Sequence, residues 1–357
     1  MPLLRAVLPL LLSPALGSTG SVEGSPGASD SLLELQFCQV YYDGVGDCPG
    51  LRKQVVANHT RALPTLELGD PSKPAMYFLH GWPDSAAEWS NQFEYFCAPP
   101  HGQYYCVAPT WFDFHPDLPA RPADDLYWST QVDAFHAVLV EMSLSDVTLV
   151  IHDFGSVLGY QLAWQYPSVF KRIISMDIGM GMLPKGFPPN PTPAVGSLMG
   201  YQQVNIEAFL TNNNTMMREN VRGDPCGDCA SITAKTGWPY LNFVLNGTQS
   251  WQHRLAPSLP LDEWRLSLVP DLPASLPLLF LYGTCNIGTG CKGCPPCSKR
   301  SFYFFGLDWI EYLQGAGKPG GAAARSKAVA VGGAGHWIQC RAAAQTNAAI
   351  ASWLRTV

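Results

Sequence analysis

The sequence has few charged side chains and no cluster of basic ones. Charged residues make up 14% of its 357 residues, and the formal net charge is −6. We therefore do not expect a basic patch that binds nucleic acid or anionic lipid. Internal repeats are absent, and beyond the first residues no apolar run is long enough to cross a bilayer. Because hydrophobic residues reach 47%, a packed globular protein is the expectation.

The first residues have the pattern of a secretory signal peptide. A short positive start precedes an apolar run over 6–12, and the small residues Ala15 and Gly17 suit a cleavage site. We expect a signal peptide over 1–17, followed by a flexible leader over 18–31 that is rich in serine and glycine. The mature protein would then be secreted or lie in the lumen of the secretory pathway, without a membrane span.

Cysteine is abundant, and its spacing agrees with export. The chain has 11 cysteines. Most of them stand in closely spaced groups: Cys38/Cys48, Cys97/Cys106, Cys226/Cys229 and Cys291/Cys294/Cys297. In an oxidising compartment such cysteines form disulfides, although the Cys-x-x-Cys spacing would suit zinc in a cytosolic protein. Glycosylation sequons at Asn58, Asn213 and Asn246 are also those of a secreted glycoprotein.

Short apolar runs alternate with helix-like segments along the chain. Continuous apolar runs between helices are typical of buried parallel strands, and predict an α/β protein with helices on both faces of a sheet. These runs cover 74–79, 104–108, 146–151, 172–176, 278–282 and 327–331. The spacing breaks over 179–274, which we interpret as a helical lid inserted between two parts of the core, 32–178 and 275–357. In open parallel sheets the ligand binds at the carboxyl ends of the strands, so a lid inserted at these ends would cover the binding site.

A candidate nucleophile follows the clearest strand. The segment ends in His-Asp153-Phe-Gly-Ser, and a helix follows it, so strand, turn and helix would present Asp153 at the top of the sheet. Gly155 is expected to allow the tight turn, whereas Ile151 should crowd it. A carboxylate in this place can attack carbon and form an ester. The alternative is an aspartate that only caps the helix.

Two further motifs supply possible partners. The turn His80-Gly81-Trp82-Pro83 can direct the backbone N–H of Trp82 at the site, and the N–H of Phe154 would complete an oxyanion hole. The glycine-rich loop after the last strand ends at His336, which could remove a proton from water. Taken alone, the first motif is also compatible with an ordinary turn.

Together these motifs resemble the epoxide hydrolase and haloalkane dehalogenase branch of the α/β-hydrolase fold. The likeness rests on HGWPDSAAEW (80–89), HDFGS (152–156) and GHW (335–337). It implies an enzyme in which Asp153 opens an apolar epoxide to form an ester, and water activated by His336 hydrolyses that ester to a diol. It implies no cofactor and no metal, and it leaves the oligomeric state open.

The resemblance also implies two tyrosines that protonate the epoxide oxygen and an acid that orients His336. Tyr201 matches the first tyrosine and Tyr240 is a candidate for the second, with packing in the lid as the alternative. Asn286 stands where the family usually has the acid. We therefore favour Asp177, at the end of the preceding strand, and keep Asn286 as the alternative position.

Two other functions remain open. A haloalkane dehalogenase would use the same aspartate and histidine. Its relatives hold the halide with a tryptophan after the nucleophile and often an asparagine in the HG-x-P turn, but here those places are Phe154 and Trp82, and phenylalanine has no N–H to offer. A non-catalytic protein that binds an apolar ligand on a hydrolase scaffold would tolerate both Asn286 and Ile151. A serine esterase is disfavoured because no Gly-x-Ser-x-Gly elbow follows a strand.

Overall fold

The computed structural model describes residues 54–115, 118–121, 126–179, 200–221, 232–241, 275–284, 305, 307–319 and 321–357. All of them belong to the unit Ser31–Val357, one of two units into which the chain divides. Several sequence predictions fall outside the described residues: the signal peptide, the leader, Asn286, the sequon at Asn246 and every grouped cysteine except Cys97 and Cys106.

Eight strands form a single sheet. They are β1 (Val56–Asn58), β2 (Thr65–Leu68), β3 (Ala75–Leu79), β4 (Tyr105–Pro109), β5 (Val147–His152), β6 (Phe170–Met176), β7 (Leu278–Gly283) and β8 (Lys327–Val331). Their order is β1-β2-β4-β3-β5-β6-β7-β8, and the strands from β4 to β8 in this order are parallel. The six predicted strands are confirmed with ends that shift by at most two residues. The sequence analysis missed β1 and β2, which pair antiparallel at one edge.

Both faces of the sheet are buried, as continuous apolar strands require. Side chains alternate between faces along a strand. In β3, Tyr77 and Leu79 belong to one apolar cluster, whereas Met76 and Phe78 belong to the other. All five residues of β3 are buried. Helices must therefore cover both faces, which confirms the predicted α/β class.

The described helices divide between the two faces. They are α1 (Ser90–Cys97), α2 (Trp128–Glu141), α3 (Phe154–Gln165), α4 (Gly200–Leu210), α5 (Asn214–Val221), α6 (Leu307–Gln314), α7 (Ile338–Arg341) and α8 (Ala343–Leu354). Phe135 of α2, Leu158 of α3 and Leu313 of α6 pack on the face of Tyr77. Phe93 of α1 and Ile350 of α8 pack on the opposite face. The turn at Asp153 therefore lies between the buried strand β5 and a helix, α3, that packs on the sheet.

The long connection between β6 and β7 contributes helices α4 and α5 and a 3-10 turn over Ala234–Gly237. It coincides with the stretch predicted as a lid. Near the edge of the sheet, the predicted Cys97–Cys106 disulfide is present, with a Cα–Cα distance of 5.9 Å. Cys340 is also disulfide-bonded, to a cysteine outside the described residues. Within the described part of the chain, no helix has the length and apolarity that a membrane crossing needs.

Candidate active site

Asp153 lies at the apex of the turn between β5 and α3. Its φ of 51° is in the left-handed region, which costs free energy for any residue but glycine and is typical of functional turns. Gly155 allows the tight turn, as predicted, because a Cβ atom there would lie 2.2 Å from the carbonyl oxygen of Leu79. The positive φ of the turn falls on Asp153 itself.

Ile151 does not crowd the turn in the predicted way. Its fully buried side chain lies against Gly159 of α3, where an added Cβ atom would stand 2.5 Å from Cγ2 of Ile151. The glycine therefore accommodates the bulk of the isoleucine, and α3 keeps its close packing on β5. A larger residue at Gly159 would push the helix, and with it the turn at Asp153, away from the sheet.

The carboxylate of Asp153 is held by two partners. The backbone N–H of Trp82 donates to Oδ1 at 2.8 Å, and Nε2 of His336 lies 3.2 Å from Oδ2. Burial alone would raise the pKa of Asp153, but the hydrogen bond and charge of His336 hold this pKa below its ordinary value. Asp153 is therefore an ionised carboxylate. The other predicted oxyanion residue, Phe154, is the first residue of α3 and directly follows the turn.

His336 lies between two carboxylates. Its Nδ1 is 2.6 Å from Oδ2 of Asp177, a fully buried residue that directly follows β6. The backbone N–H of Gly283 donates to the other oxygen of Asp177 at 3.3 Å, so the end of β7 orients this acid. Burial would lower the pKa of His336, but its hydrogen bonds to Asp153 and Asp177 raise this pKa to about 10. In the resting site His336 is therefore a cation.

We expect Asp177→Asn to slow ester hydrolysis by about 10²–10⁴-fold, because an amide cannot stabilise the imidazolium and favours the wrong tautomer. Asn286→Ala is the matched variant, since Asn286 is the alternative acid position. Single-turnover kinetics on both variants separate the two assignments. A large loss in Asn286→Ala with a normal rate in Asp177→Asn would contradict the assignment of Asp177.

The two predicted tyrosines lie together beside the nucleophile's turn. The rings of Tyr201 and Tyr240 are 5.8 Å apart, and Tyr240 also contacts the rings of Trp82 at 5.0 Å and Phe154 at 5.1 Å. Burial, Tyr201 and the negative charge of Asp153 raise the pKa of Tyr240 well above its usual value. Its hydroxyl therefore remains protonated and can donate a proton or a hydrogen bond.

A buried polar cluster behind His336 was missed by the sequence analysis. His152 accepts from Nε2 of Gln339 at 2.9 Å on Nδ1, and its Nε2 lies 3.2 Å from the backbone oxygen of His336. Burial lowers the pKa of His152 to about 4, so it is neutral and can donate to that oxygen. His152 thus supports the backbone of the residue that would act as base.

Two acidic residues complete this cluster. The indole N–H of Trp337 donates to Oδ2 of Asp84 at 2.7 Å, and Oε1 of Glu88 lies 3.6 Å from Nδ1 of His152. Glu88 is fully buried, and burial raises the pKa of both Asp84 and Glu88 well above the ordinary range. The signal in the sequence is their place soon after the HGWP turn, but Trp337 lies 253 residues from Asp84, a separation that no local pattern bridges.

We expect Glu88→Gln to stabilise the protein more at alkaline than at acidic pH. Because the folded pKa of Glu88 is raised, its contribution to stability is present below the unfolded value of about 4.3 and is lost as pH rises toward the folded pKa. Glutamine does not titrate and therefore avoids this loss of folding free energy, which is about 1.4 kcal/mol for each unit by which folding raises the pKa. Thermal unfolding between about pH 5 and about pH 8 measures the difference. The control is Glu207→Gln, at an exposed glutamate of α4; a difference for Glu88→Gln that stays constant with pH would contradict the expectation.

The site as described offers carboxylates, one histidine and two phenols. Among the described residues, no group of three or more His, Cys, Asp or Glu side chains is arranged to hold a metal ion. The arrangement can supply a nucleophile, a base with its orienting acid and proton donors. These are the groups that a two-step displacement through an ester requires.

The chain matches the family model described as "alpha/beta hydrolase fold" over residues 74–341. It is 25% identical over 113 residues to epoxide hydrolase 1 of Caenorhabditis elegans, covering 32% of this chain and 27% of that protein. It is 26% identical over 216 residues to the cis-3-alkyl-4-alkyloxetan-2-one decarboxylase of Shewanella oneidensis, covering 56% and 61% respectively. The matches thus span less than two thirds of these relatives.

The fold is also that of solved enzymes. A haloalkane dehalogenase variant from Bradyrhizobium elkanii superposes with a TM-score of 0.53 at 16% identity, covering 85% of this chain and 97% of that one. At this identity the likeness concerns the fold alone. The chain belongs to the α/β-hydrolase fold family. The curated proteins that it resembles in sequence include epoxide hydrolases, and the haloalkane dehalogenase shares its fold.

Proposed function

We propose that this α/β-hydrolase is a secreted epoxide hydrolase that converts a small apolar epoxide to a diol. The observation that carries the proposal is the position of His336, within hydrogen-bonding distance of Asp153 at 3.2 Å and of Asp177 at 2.6 Å. The tyrosine pair beside the same turn supports it. Secretion rests on the signal-peptide pattern, and the Cys97–Cys106 disulfide agrees with an oxidising compartment.

In the first step, Oδ2 of Asp153 attacks an epoxide carbon. Oδ1 is held by the backbone N–H of Trp82 at 2.8 Å, whereas Oδ2 has only the longer contact to Nε2 of His336 at 3.2 Å and gives it up to form the new bond. The carbon–oxygen bond of the epoxide breaks, and its oxygen takes a proton from Tyr240 or Tyr201. The products are a hydroxyalkyl ester on Asp153 and a tyrosinate.

In the second step, His336 takes a proton from water. Esterification removes the negative charge of Asp153, which is one of the two charges that raise the pKa of His336. The pKa of His336 therefore falls, the imidazolium passes its proton to the tyrosinate, and His336 becomes a base when a base is needed. Hydroxide attacks Cγ of the ester, Oδ1 carries the developing charge against the Trp82 N–H, and the bond between Cγ and Oδ2 breaks. The leaving oxygen takes the proton of the new carboxyl group, which releases the diol and the ionised Asp153, and the proton taken from water stays on His336.

Two observations weigh against the dehalogenase alternative. The indole N–H of Trp82 is donated to the carbonyl oxygen of Thr236 at 3.1 Å, so it is occupied and does not point to a free halide site. Phe154 has no side-chain donor, and its ring packs against Tyr240. Among the described residues, neither position that holds the halide in dehalogenases offers a free indole or amide donor, whereas two phenols can protonate an epoxide oxygen.

A single turnover in water enriched in heavy oxygen tests the proposal. Purified mature protein in excess over each epoxide should yield a diol without the label and leave the label in Asp153, and Asp153→Ala should abolish both. The panel should include haloalkanes and a cis-3,4-dialkyl oxetan-2-one, because the Shewanella relative acts on that ring. If halide is released from a haloalkane, or an alkene from the oxetan-2-one, and no epoxide gives a diol, that activity replaces the proposed one. If no ester forms but the protein binds a ligand, the non-catalytic alternative is favoured.

A further inference from the structure

Trp82 contacts both the nucleophile and the segment that carries Tyr240. Its backbone N–H donates to Oδ1 of Asp153 at 2.8 Å, and its indole N–H donates to the carbonyl oxygen of Thr236 at 3.1 Å. Its ring is 5.0 Å from that of Tyr240 and 6.2 Å from that of Tyr201. The side chain is 8% exposed, so these contacts are made in a nearly dry environment.

The segment with Tyr240 is attached to the core at several points. The indole N–H of Trp238 donates to the carbonyl oxygen of Phe112 at 3.0 Å. The ammonium of Lys235 donates to the carbonyl oxygens of His115 at 3.0 Å and of Leu118 at 2.7 Å. These bonds fasten the segment to the loop after β4. The Trp82 bond differs because it fastens the segment to the turn that holds the nucleophile.

The Trp82 bond also lies close to Tyr240 along the chain. Thr236 precedes Tyr240 by four residues, and residues 238–241 are helical, so a shift of the Thr236 backbone is passed on to Tyr240. Thr236 is itself 3% exposed. If the indole N–H of Trp82 were removed, the carbonyl oxygen of Thr236 would lose its hydrogen-bond donor in a place that water reaches poorly. The segment over 232–241 would then move until this oxygen found another donor.

We propose that Trp82 is a positioning residue that places the hydroxyl of Tyr240 relative to the carboxylate of Asp153. One residue holds the nucleophile through its backbone and the segment of the proton donor through its side chain. The distance between attacking oxygen and proton donor is thereby set within a single rigid unit. This inference rests on the proposed function, since it assigns Trp82 to the ester-forming step.

The test uses Trp82→Phe, which keeps the aromatic ring and the backbone N–H but removes the indole donor. Ester formation should slow by about 10- to 100-fold, as expected when a reacting group is displaced by a fraction of an ångström to 1 Å. Ester hydrolysis should stay within about twofold, because its Trp82 backbone donor is unchanged. Single-turnover kinetics measure the two steps separately, and a residue needed only for folding would not split them.

The matched control is Trp353→Phe. The indole N–H of Trp353 also donates to a backbone carbonyl, that of Arg325 at 2.8 Å, and the side chain is 4% exposed, but it lies in the apolar cluster on the opposite face of the sheet. Hydrogen–deuterium exchange followed by mass spectrometry should show faster exchange of residues 232–241 in Trp82→Phe only. Trp353→Phe should leave that segment and both chemical steps unchanged.

The outcomes separate this inference from the proposed function. Equal slowing of both steps, or no slowing of ester formation, would overturn the positioning role of Trp82. Hydrogen–deuterium exchange needs no substrate, and an unchanged exchange rate of residues 232–241 in Trp82→Phe would also overturn the positioning role of Trp82. If the unmodified protein forms no ester with the whole panel, the proposed function fails; exchange then still decides whether Trp82 anchors the segment.

Discussion

Replacing His336 with glutamine should trap the protein as its ester with substrate. Glutamine keeps a polar side chain of similar size but cannot accept a proton from water, so ester hydrolysis should slow by about 10²–10⁴-fold. Ester formation needs the tyrosines, which remain, and the ionised carboxylate of Asp153. Because His336 holds the pKa of that carboxyl down against burial, the experiment is run at alkaline pH, where Asp153 stays ionised in the variant. Intact-protein mass spectrometry should show a gain equal to the mass of the whole epoxide, located on Asp153 after digestion.

The ester should accumulate because the charges in the site make His336 a base only after the ester has formed. With Asp153 ionised, the pKa of His336 is raised to about 10 and the imidazole already carries its proton. Ester formation removes that charge and leaves Asp177 as the remaining partner, so the base becomes available after the first step. The exposed His101 offers a control, and His101→Gln should turn over normally.

A different result would identify a different base. The ring of His152 is 4.6 Å from that of His336, and it is neutral in the buried cluster behind the site. If His336→Gln still released diol at the normal rate while His152→Gln did not, the assignment of His336 would be wrong. If neither variant accumulated ester or lost activity, water activation by histidine would be excluded.

Removing the carboxylate in Asp153→Ala should abolish ester and diol formation. Loss of a nucleophile leaves only binding and the oxyanion donor, so the rate should fall by about 10⁴–10⁶-fold. A second effect needs no substrate: without the charge of Asp153, the pKa of His336 should fall from about 10. Titration of the His336 ring protons by NMR measures this change directly.

Asp146→Ala is a closely matched control for Asp153→Ala. Asp146 precedes β5 and Asp153 follows it, and both have a positive φ, of 54° and 51°. Both variants place alanine at a strained position, so a comparable loss of stability is expected in each. Loss of activity in Asp146→Ala as well would show that the effect comes from the turn or the strand rather than from the carboxylate.

Much of the site could be predicted because its signals are local. The apolar run into Asp153 and the glycine-rich loop before His336 identify two strand ends, and parallel strands bring their carboxyl ends to one edge. The antiparallel strands β1 and β2 were missed because they are only three and four residues long and lie at an edge. The need for glycine at Gly155 could be predicted, because the turn is tight, but the positive φ of Asp153 could not, because glycine is the usual residue at positive φ.

The fold class and the residue at the apex of the turn could be read from the sequence, because both follow from side-chain periodicity and from the order of strand, turn and helix. The motifs suggested Asp177 as the partner of His336, but the contact itself depends on the tertiary structure. Asp177 and His336 are 159 residues apart, and their contact depends on where the ends of β6, β7 and β8 lie. The same holds for the indole bond of Trp82 to Thr236, 154 residues away. Hydrogen bonds of a few ångströms between distant segments depend on the packing of the whole sheet, which no local pattern encodes.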